Sequence, residues 1–213
     1  MAPRIIAIDG PSAAGKGTLA RRLAAHYRLP YLDTGLLYRA VGRRVLDAGA
    51  NPADPAAALA AARALRPADL DRPDLRGPEA DEAASLVAAQ QPVRDELLDF
   101  QRRFAAGHGA VLDGRDIGTV VFPTADVKLF ITASQQERAR RRCLEFAAKG
   151  MPRPFADVAA ELAARDERDI RRLAAPAKKA ADAIELDTTD KDADAVFAAA
   201  LALIERRATP AQA

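Results

Sequence analysis

Gly10-Pro11-Ser12-Ala13-Ala14-Gly15-Lys16-Gly17-Thr18 follows the apolar run Ile5-Ile6-Ala7-Ile8 and opens onto an amphipathic stretch, Leu19 to Tyr27. That order predicts strand, glycine-rich loop and helix, the context that makes a glycine–lysine pattern a polyphosphate site. The loop's backbone N–H groups and the helix N-terminus would face the anion. Lys16 would bring a cation to the terminal phosphates. In the usual form of this loop a hydroxyl residue follows the lysine directly. Here Gly17 intervenes and the hydroxyl is that of Thr18. The spacing argues against a direct hydroxyl ligand to magnesium in the usual position. Thr18 would instead touch a phosphate, with the metal held mostly by phosphates and water.

Outward from this loop, hydrophobic periodicity predicts strands at 4–9, 31–32, 110–112, 127–131 and 183–187. It predicts helices at 16–27, 36–46, 79–90, 92–106, 155–172 and 193–207. Residues 50–80 are rich in Ala, Pro, Asp and Arg, with Pro52, Pro55, Pro67, Pro73 and Pro78 and no strand pattern. A short helix near 54–65 and an irregular connection are expected there. Pro92 should separate the two helices that follow. Ser134-x-x-Glu137 has the spacing of a capping box and should open a helix ending near 148. Gly150-Met151-Pro152-Arg153-Pro154 should break the chain again. Strands alternating with helices imply a parallel sheet covered on both faces. The tail Thr209–Ala213 is expected to fray.

The composition narrows the partners. The 213 residues carry 32 basic and 30 acidic side chains, a net charge of +2, too little to drive the chain to nucleic acid or a membrane. The cations are mostly arginine, which suits bidentate phosphate recognition. Cys143 is the single cysteine, so no internal disulfide can form; with only His26 and His108 beside it, zinc is not expected. Met1-Ala2-Pro3-Arg4 leads straight into the first strand with no apolar leader, and no segment is long enough to span a bilayer. A soluble cytoplasmic protein is expected.

Leu112-Asp113 is an apolar strand ending in an acid, the pattern of a magnesium-organising carboxylate in this fold class. Strands also end at Asp for turn reasons. Here the tip should share the sheet edge with the phosphate loop, where open α/β sheets bind ligands. Arg115 and Asp116 follow on the same loop; Arg115 is either a surface ion pair or, facing the cleft, a phosphate clamp. Asp33-Thr34 is a plain N-cap, or else the Thr34 hydroxyl and Arg39, one helical turn on, face a second anion. Arg138, Arg141 and Arg142 share much of one helix face, and Arg165, Arg168 and Arg172 much of the next, with Asp169 among them. A solvated surface helped by pairs such as Glu161 with Arg165 is the ordinary outcome of such runs. Two arginine-rich helices across a Gly/Pro break are better read as a flap closing over phosphates, since phosphoryl transfer needs charge neutralisation and water exclusion. A nucleic-acid surface would want a larger basic excess and stacking aromatics.

With these residues on the page the chain resembles the bacterial cytidylate kinases, a family of nucleoside monophosphate kinases. The resemblance spans Ile8-Asp9-Gly10 through Thr18, Leu32 through Arg39, Glu82-Ala83-Ala84-Ser85, Pro92-Val93-Arg94, Asp113 through Pro123, and Arg165 through Asp169 with Ala174-Ala175-Pro176. The 113–123 run is the specific part; the loop alone fits many kinases. The resemblance implies that Thr34 and Asp169 hold the acceptor ribose with Arg165 near them. It implies that Arg39, Arg115 and Arg172 grip the acceptor phosphate, and that Ser85, Arg94 and Asp116 read the cytosine edge. A carboxylate or hydroxyl plus an arginine complements the N4 donor and N3/O2 acceptors of cytosine. Lys16, Arg115, Arg165 and Arg172 would act on the transferring group, Asp113 would hold Mg²⁺ through water, and Arg138, Arg141 and Arg142 would belong to the lid. One departure stands out. The family often carries a longer, strand-rich insert before Glu82, whereas residues 50–80 here are short and proline-broken, so that unit should be helical.

The expected fold is therefore a three-layer α/β P-loop kinase with a five-stranded parallel sheet in the family's order 2-3-1-4-5. Residues 1–35 and 110–213 would form the core with a short lid at about 149–166, and 36–109 an inserted acceptor-binding unit. The implied reaction moves the γ-phosphoryl of ATP to CMP or dCMP. The protein should be monomeric, without nucleic-acid or membrane partners. The alternatives are a kinase for another acceptor, such as UMP or a small metabolite, and a nucleotide-dependent RNA-binding or regulatory module.

Overall fold

A computed structural model of the chain describes residues 4–208; the tail Thr209–Ala213 lies outside them. Five strands, β1 (Ile5–Asp9), β2 (Tyr31–Asp33), β3 (Ala110–Gly114), β4 (Val127–Thr132) and β5 (Ile184–Asp187), form one sheet. Its order is β2-β3-β1-β4-β5 and every pairing is parallel, as expected from the alternation of strands and helices.

Side chains alternate across a strand. Ile6 and Ile8 of β1 therefore enter one core, with Val111, Leu129 and Ile131, against α1 (Lys16–Tyr27) and α8 (Ala193–Ala208). Ala7, Leu32 and Leu112 point the other way, toward α2 (Thr34–Asp47), α4 (Pro78–Ala88) and α5 (Gln91–Ala105). The result is three layers. α6 (Gln135–Ala148) and α7 (Phe155–Arg171) stand apart with their own small core of Ala139, Phe146, Val158 and Leu162.

Between β2 and β3 the chain is wholly helical, as the proline-broken composition implied. α3 (Pro55–Arg63) is capped by Asp54, which accepts from Ala56 N at 2.8 Å, and short 3₁₀ turns span Pro67–Asp71 and Pro73–Leu75. Pro92 does not separate α4 from α5; it sits in the first turn of α5, where its missing N–H costs nothing. Half of the expected capping box at the start of α6 is absent. Ser134 accepts from Glu137 N at 3.2 Å, but the Glu137 carboxylate turns away to Arg140 and Arg141. Two nearby guanidiniums offer it charge-assisted bonds that a backbone N–H cannot match.

α2 and α4 pack closely because Gly42 leaves room. A Cβ there would lie 2.8 Å from Ala83 Cβ. Gly42→Ala is expected to destabilise the protein by about 1–3 kcal/mol through overpacking, read as a lower urea midpoint. An unchanged midpoint would mean that the two helices slide apart freely.

Candidate active site

The parallel register brings three acids to one sheet edge. Ile8 lies opposite Asp113, Asp113 opposite Asp33, and Asp9 opposite Gly114. The phosphate loop leaves β1 at this edge. Gly10 has φ +143°, and a Cβ would lie 2.0 Å from Ile131 O, so only glycine fits. Ala13 at φ +61° and Gly15 at φ +92° are left-handed and curl the loop before α1. Lys16 is buried, with Nζ donating to Pro11 O at 2.7 Å, so the loop wraps its own cation. Burial, then the neighbouring Arg115 guanidinium, pushes the Lys16 ammonium well below its ordinary pKa. A bound polyphosphate would reverse that balance.

Asp9 lies within the 8–18 run, but no role follows for it from the sequence; it is the last residue of β1. Its carboxylate accepts from Ile117 N and Gly118 N, each at 2.8 Å. This ties β1 to a π turn at Ile117–Val121 that the periodicity did not foresee, and holds the loop carrying Arg115 and Asp116. Burial raises the Asp9 pKa to about 6 despite those bonds.

A cavity of about 490 Å³ opens between this loop and the helices. Arg115 links its two ends: Nη2 donates to Ser12 Oγ at 2.8 Å on the phosphate loop, and Nε to Asp169 Oδ2 at 2.9 Å on α7. α7 serves both the small α6–α7 core and the cavity. Val158 and Leu162 pack in that core; Arg165 and Asp169, three and seven residues beyond Leu162, carry the same stripe into the cavity. Burial raises the Asp169 pKa, but Arg115, Arg165 and Arg172 together outweigh it and hold the carboxyl below its usual range.

Asp116, in the same cavity, is buried and pairs with Arg94. Arg172 Nη2 lies 3.6 Å from Asp116 Oδ1, within ion-pair reach but too long for a hydrogen bond, and it has no hydrogen-bond partner among the described residues. Ser85 accepts from Arg168 Nη1 at 2.6 Å, which leaves its hydroxyl proton available to a ligand. The sequence puts Arg168 on the arginine face of its helix; the fold also brings it onto a base-reading candidate. Arg165 Nε is also buried without a partner. Burial first, then Arg115 and Arg39, lowers the Arg165 pKa to about 9. Buried unpaired donors beside crowded cations describe a site shaped for an anion.

The Asp33-Thr34 pair does not cap α2 through its side chains. Thr34 Oγ1 donates to Asp113 O at 2.8 Å, leaving its lone pairs to accept, and Asp33 Oδ2 is 3.3 Å from Arg76 Nη2. The three α6 arginines do not act as one face. Arg138 Nη1 pairs with Asp166 at 2.6 Å and reaches Ser12 O at 3.4 Å. Arg141 Nη1 donates to Thr188 Oγ1 at 2.9 Å and lines a second cavity of about 280 Å³, which meets the first at Gly15 and Thr18. Arg142 pairs with Asp81 and, at 2.6 Å, with Glu145. The expected Glu161–Arg165 pair is absent: Glu161 takes Arg153 at 2.7 Å, and Arg165 is drawn inward to Asp81 at 3.2 Å.

Asp113 accepts from Tyr31 OH at 2.7 Å through Oδ1, and burial with Asp33 nearby raises its pKa. Among the described residues no three His, Cys, Asp or Glu side chains form a metal cage. One carboxylate with a free oxygen, beside a second acid and the phosphate loop, fits an ion that keeps its waters and takes its other ligands from phosphates.

Phosphate-binding chemistry at both ends of one cleft, on the open edge of a parallel sheet, is the architecture of a P-loop phosphotransferase. Within that class the chain belongs to the cytidylate kinase family, whose model matches residues 6–206. It is 64% identical over 204 residues to the cytidylate kinase of Acidiphilium cryptum (strain JF-5), covering 96% of both chains. It is 60% identical over 203 residues to that of Granulibacter bethesdensis (strain ATCC BAA-1260 / CGDNIH1), covering 95% of this chain and 97% of that one. A crystal structure of an uncharacterized protein from Eubacterium ventriosum ATCC 27560 matches with a TM-score of 0.56 at 16% identity, covering 94% of this chain and 98% of that chain, a likeness of fold alone.

Proposed function

We propose a division of labour for these residues in the phosphorylation of CMP. The protein transfers the γ-phosphoryl group of ATP to the phosphate of CMP, forming CDP and ADP. The observation that carries the reading is Arg115, bonded at once to Ser12 of the donor loop and Asp169 of the acceptor end. Residues 36–109 act as the acceptor-binding unit and about 149–166 as the lid of a core made from the rest.

ATP lays its phosphates on Gly10–Thr18, with its nucleoside toward the cavity at Arg141 and Thr188. CMP enters the larger cavity. Thr34 and Asp169 take the ribose, Arg39, Arg115 and Arg172 the phosphate, and Ser85, Arg94 and Asp116 the base. dCMP is accepted through the same contacts. The attacking phosphate oxygen is already ionised near neutral pH, the second pKa of a phosphate monoester being about 6. No general base is needed. Lys16, Arg115, Arg165 and Arg172 bind the transferring group and neutralise its charge, and closure of α6 and α7 excludes water. Arg138 anchors the lid to Ser12 and Asp166, and Arg142 anchors it to α4. Asp113 would hold a magnesium ion through water, and that ion would supply positive charge beside the donor phosphates. The enzyme works as a cytoplasmic monomer without nucleic-acid or membrane partners. No helix of the described residues is long and apolar enough to cross a membrane.

A coupled ADP-release screen of CMP, dCMP, UMP and AMP tests this reading. CMP should exceed UMP and AMP by at least about tenfold in kcat/KM, since a base lacking the right donor leaves a buried carboxylate or arginine unpaired. Equal turnover of all four would overturn the base-reading roles of Ser85, Arg94 and Asp116.

A further inference from the structure

Asp81 lies in the first turn of α4, where an acid ordinarily does no more than complement the helix dipole. Its surroundings are different. Its side chain is only 12% exposed and collects guanidiniums from three other helices. Arg39 Nε of α2 reaches Oδ1 at 2.9 Å, Arg165 Nη1 of α7 reaches Oδ1 at 3.2 Å, and Arg142 of α6 pairs with Oδ2. All three arginines line the large cavity; Asp81 stands behind them, at the wall of a smaller cavity between α4 and α7.

We propose that Asp81 is a resident counter-anion, a carboxylate occupying the guanidiniums that the phosphate of CMP must win over. It thereby sets the affinity of the acceptor site. The proposal rests on reading the large cavity as the CMP site.

Two effects of such a carboxylate compete: it gathers the arginines, and it repels the phosphate. The structure decides between them. Arg142 does not need Asp81 for its position, because it also pairs with Glu145 and lies over the Phe146 ring at 4.8 Å. The cluster remains short of negative charge even with Asp81 present. Arg165 Nε has no partner, and neighbouring cations help lower its pKa. Removing the carboxylate's charge adds to an unmet demand for an anion more than it scatters the donors.

Titration calorimetry with CMP and with cytidine tests this. Asp81→Asn keeps the shape and removes the charge. It should tighten CMP by about tenfold at low salt, the scale of one nearby charge partly screened, and leave cytidine unchanged. The gain should shrink as salt rises. CMP affinity that is unchanged or weaker in the folded variant overturns the proposal, and so does an equal gain for cytidine. If Asp81→Asn melts below the assay temperature, Asp81→Glu carries the test. Its longer arm moves the charge toward the phosphate and should weaken CMP but not cytidine; unchanged CMP affinity overturns the idea. Arg39→Ala separates the two readings. If it leaves CMP affinity intact, the acceptor-site assignment is wrong. If it weakens CMP while Asp81→Asn changes nothing, only the role of Asp81 fails.

Discussion

Replacing Lys16 with alanine is expected to lower kcat by roughly 10²–10³-fold, the scale of losing one preorganised stabiliser of developing charge. That corresponds to about 3–4 kcal/mol of transition-state stabilisation. The loss should appear in turnover with saturating ATP, measured by coupled ADP release. Turnover within a few-fold of the parent would sink the assignment of the loop as the donor site. Stability should not fall with activity. The folded-state pKa of Lys16 lies below its ordinary value because burial and Arg115 disfavour the charge. A lysine so shifted opposes folding at neutral pH, where the unfolded chain carries that charge freely, and the opposition fades only as pH rises toward the unfolded pKa. Lys16→Ala should therefore melt at or above the parent temperature near pH 7. An inactive but well-folded variant is the pattern of a residue kept for chemistry at the expense of stability.

Asp116→Ala should combine two large effects. Its carboxylate is the buried partner of Arg94 and lies near Arg172. Removing one member of such a pair strands the other as an uncompensated buried charge, which costs about 3–5 kcal/mol. In a chain of this length that lowers the melting temperature by roughly 6–20 °C. The second effect is on substrate. KM for CMP should rise far more than KM for ATP, because Asp116 pairs with Arg94, lies near Arg172 and, among the described residues, makes no bond to the phosphate loop. Asp116→Asn separates the two, since it keeps an acceptor for Arg94 while losing the charge. It should recover part of the stability and still discriminate poorly between CMP and UMP. Equal changes in both KM values would remove Asp116 from base recognition.

Much of this protein could be read from short-range pattern. Period-two strands, 3.6-period helices and the glycine-rich turn are local consequences of sequence. They were enough to lay out five strands, the loop at Gly10–Thr18 and the helices that follow. The Ala/Pro/Asp/Arg-rich composition, its five prolines and the lack of a strand pattern together predict that residues 50–80 hold no strand. Motif resemblance supplied Thr34, Arg39, Ser85, Arg94, Arg115, Asp116, Arg165, Asp169 and Arg172, all of which line the one cavity.

What the sequence could not say was which charge meets which. Glu161 stands four residues before Arg165 and looked like its partner; the fold gives Glu161 to Arg153 and Arg165 to Asp81, which is distant in sequence. Three arginines on consecutive turns of α6 looked like one face, yet they serve three neighbourhoods. Asp9 sits inside the 8–18 run with no role attached to it, and Asp81 lies just outside the quoted motifs. A charge in a helix pattern is equally at home in solvent or in a pair, because the choice depends on burial and on elements that arrive from elsewhere in the chain. The sequence by itself determined the sheet, the donor loop and the family. Only the tertiary structure decided that Arg115 joins Ser12 to Asp169, that Asp9 holds the turn beginning at Ile117, and that Asp81 gathers three arginines, since each of those contacts exists only once distant segments have been folded onto one edge of the sheet.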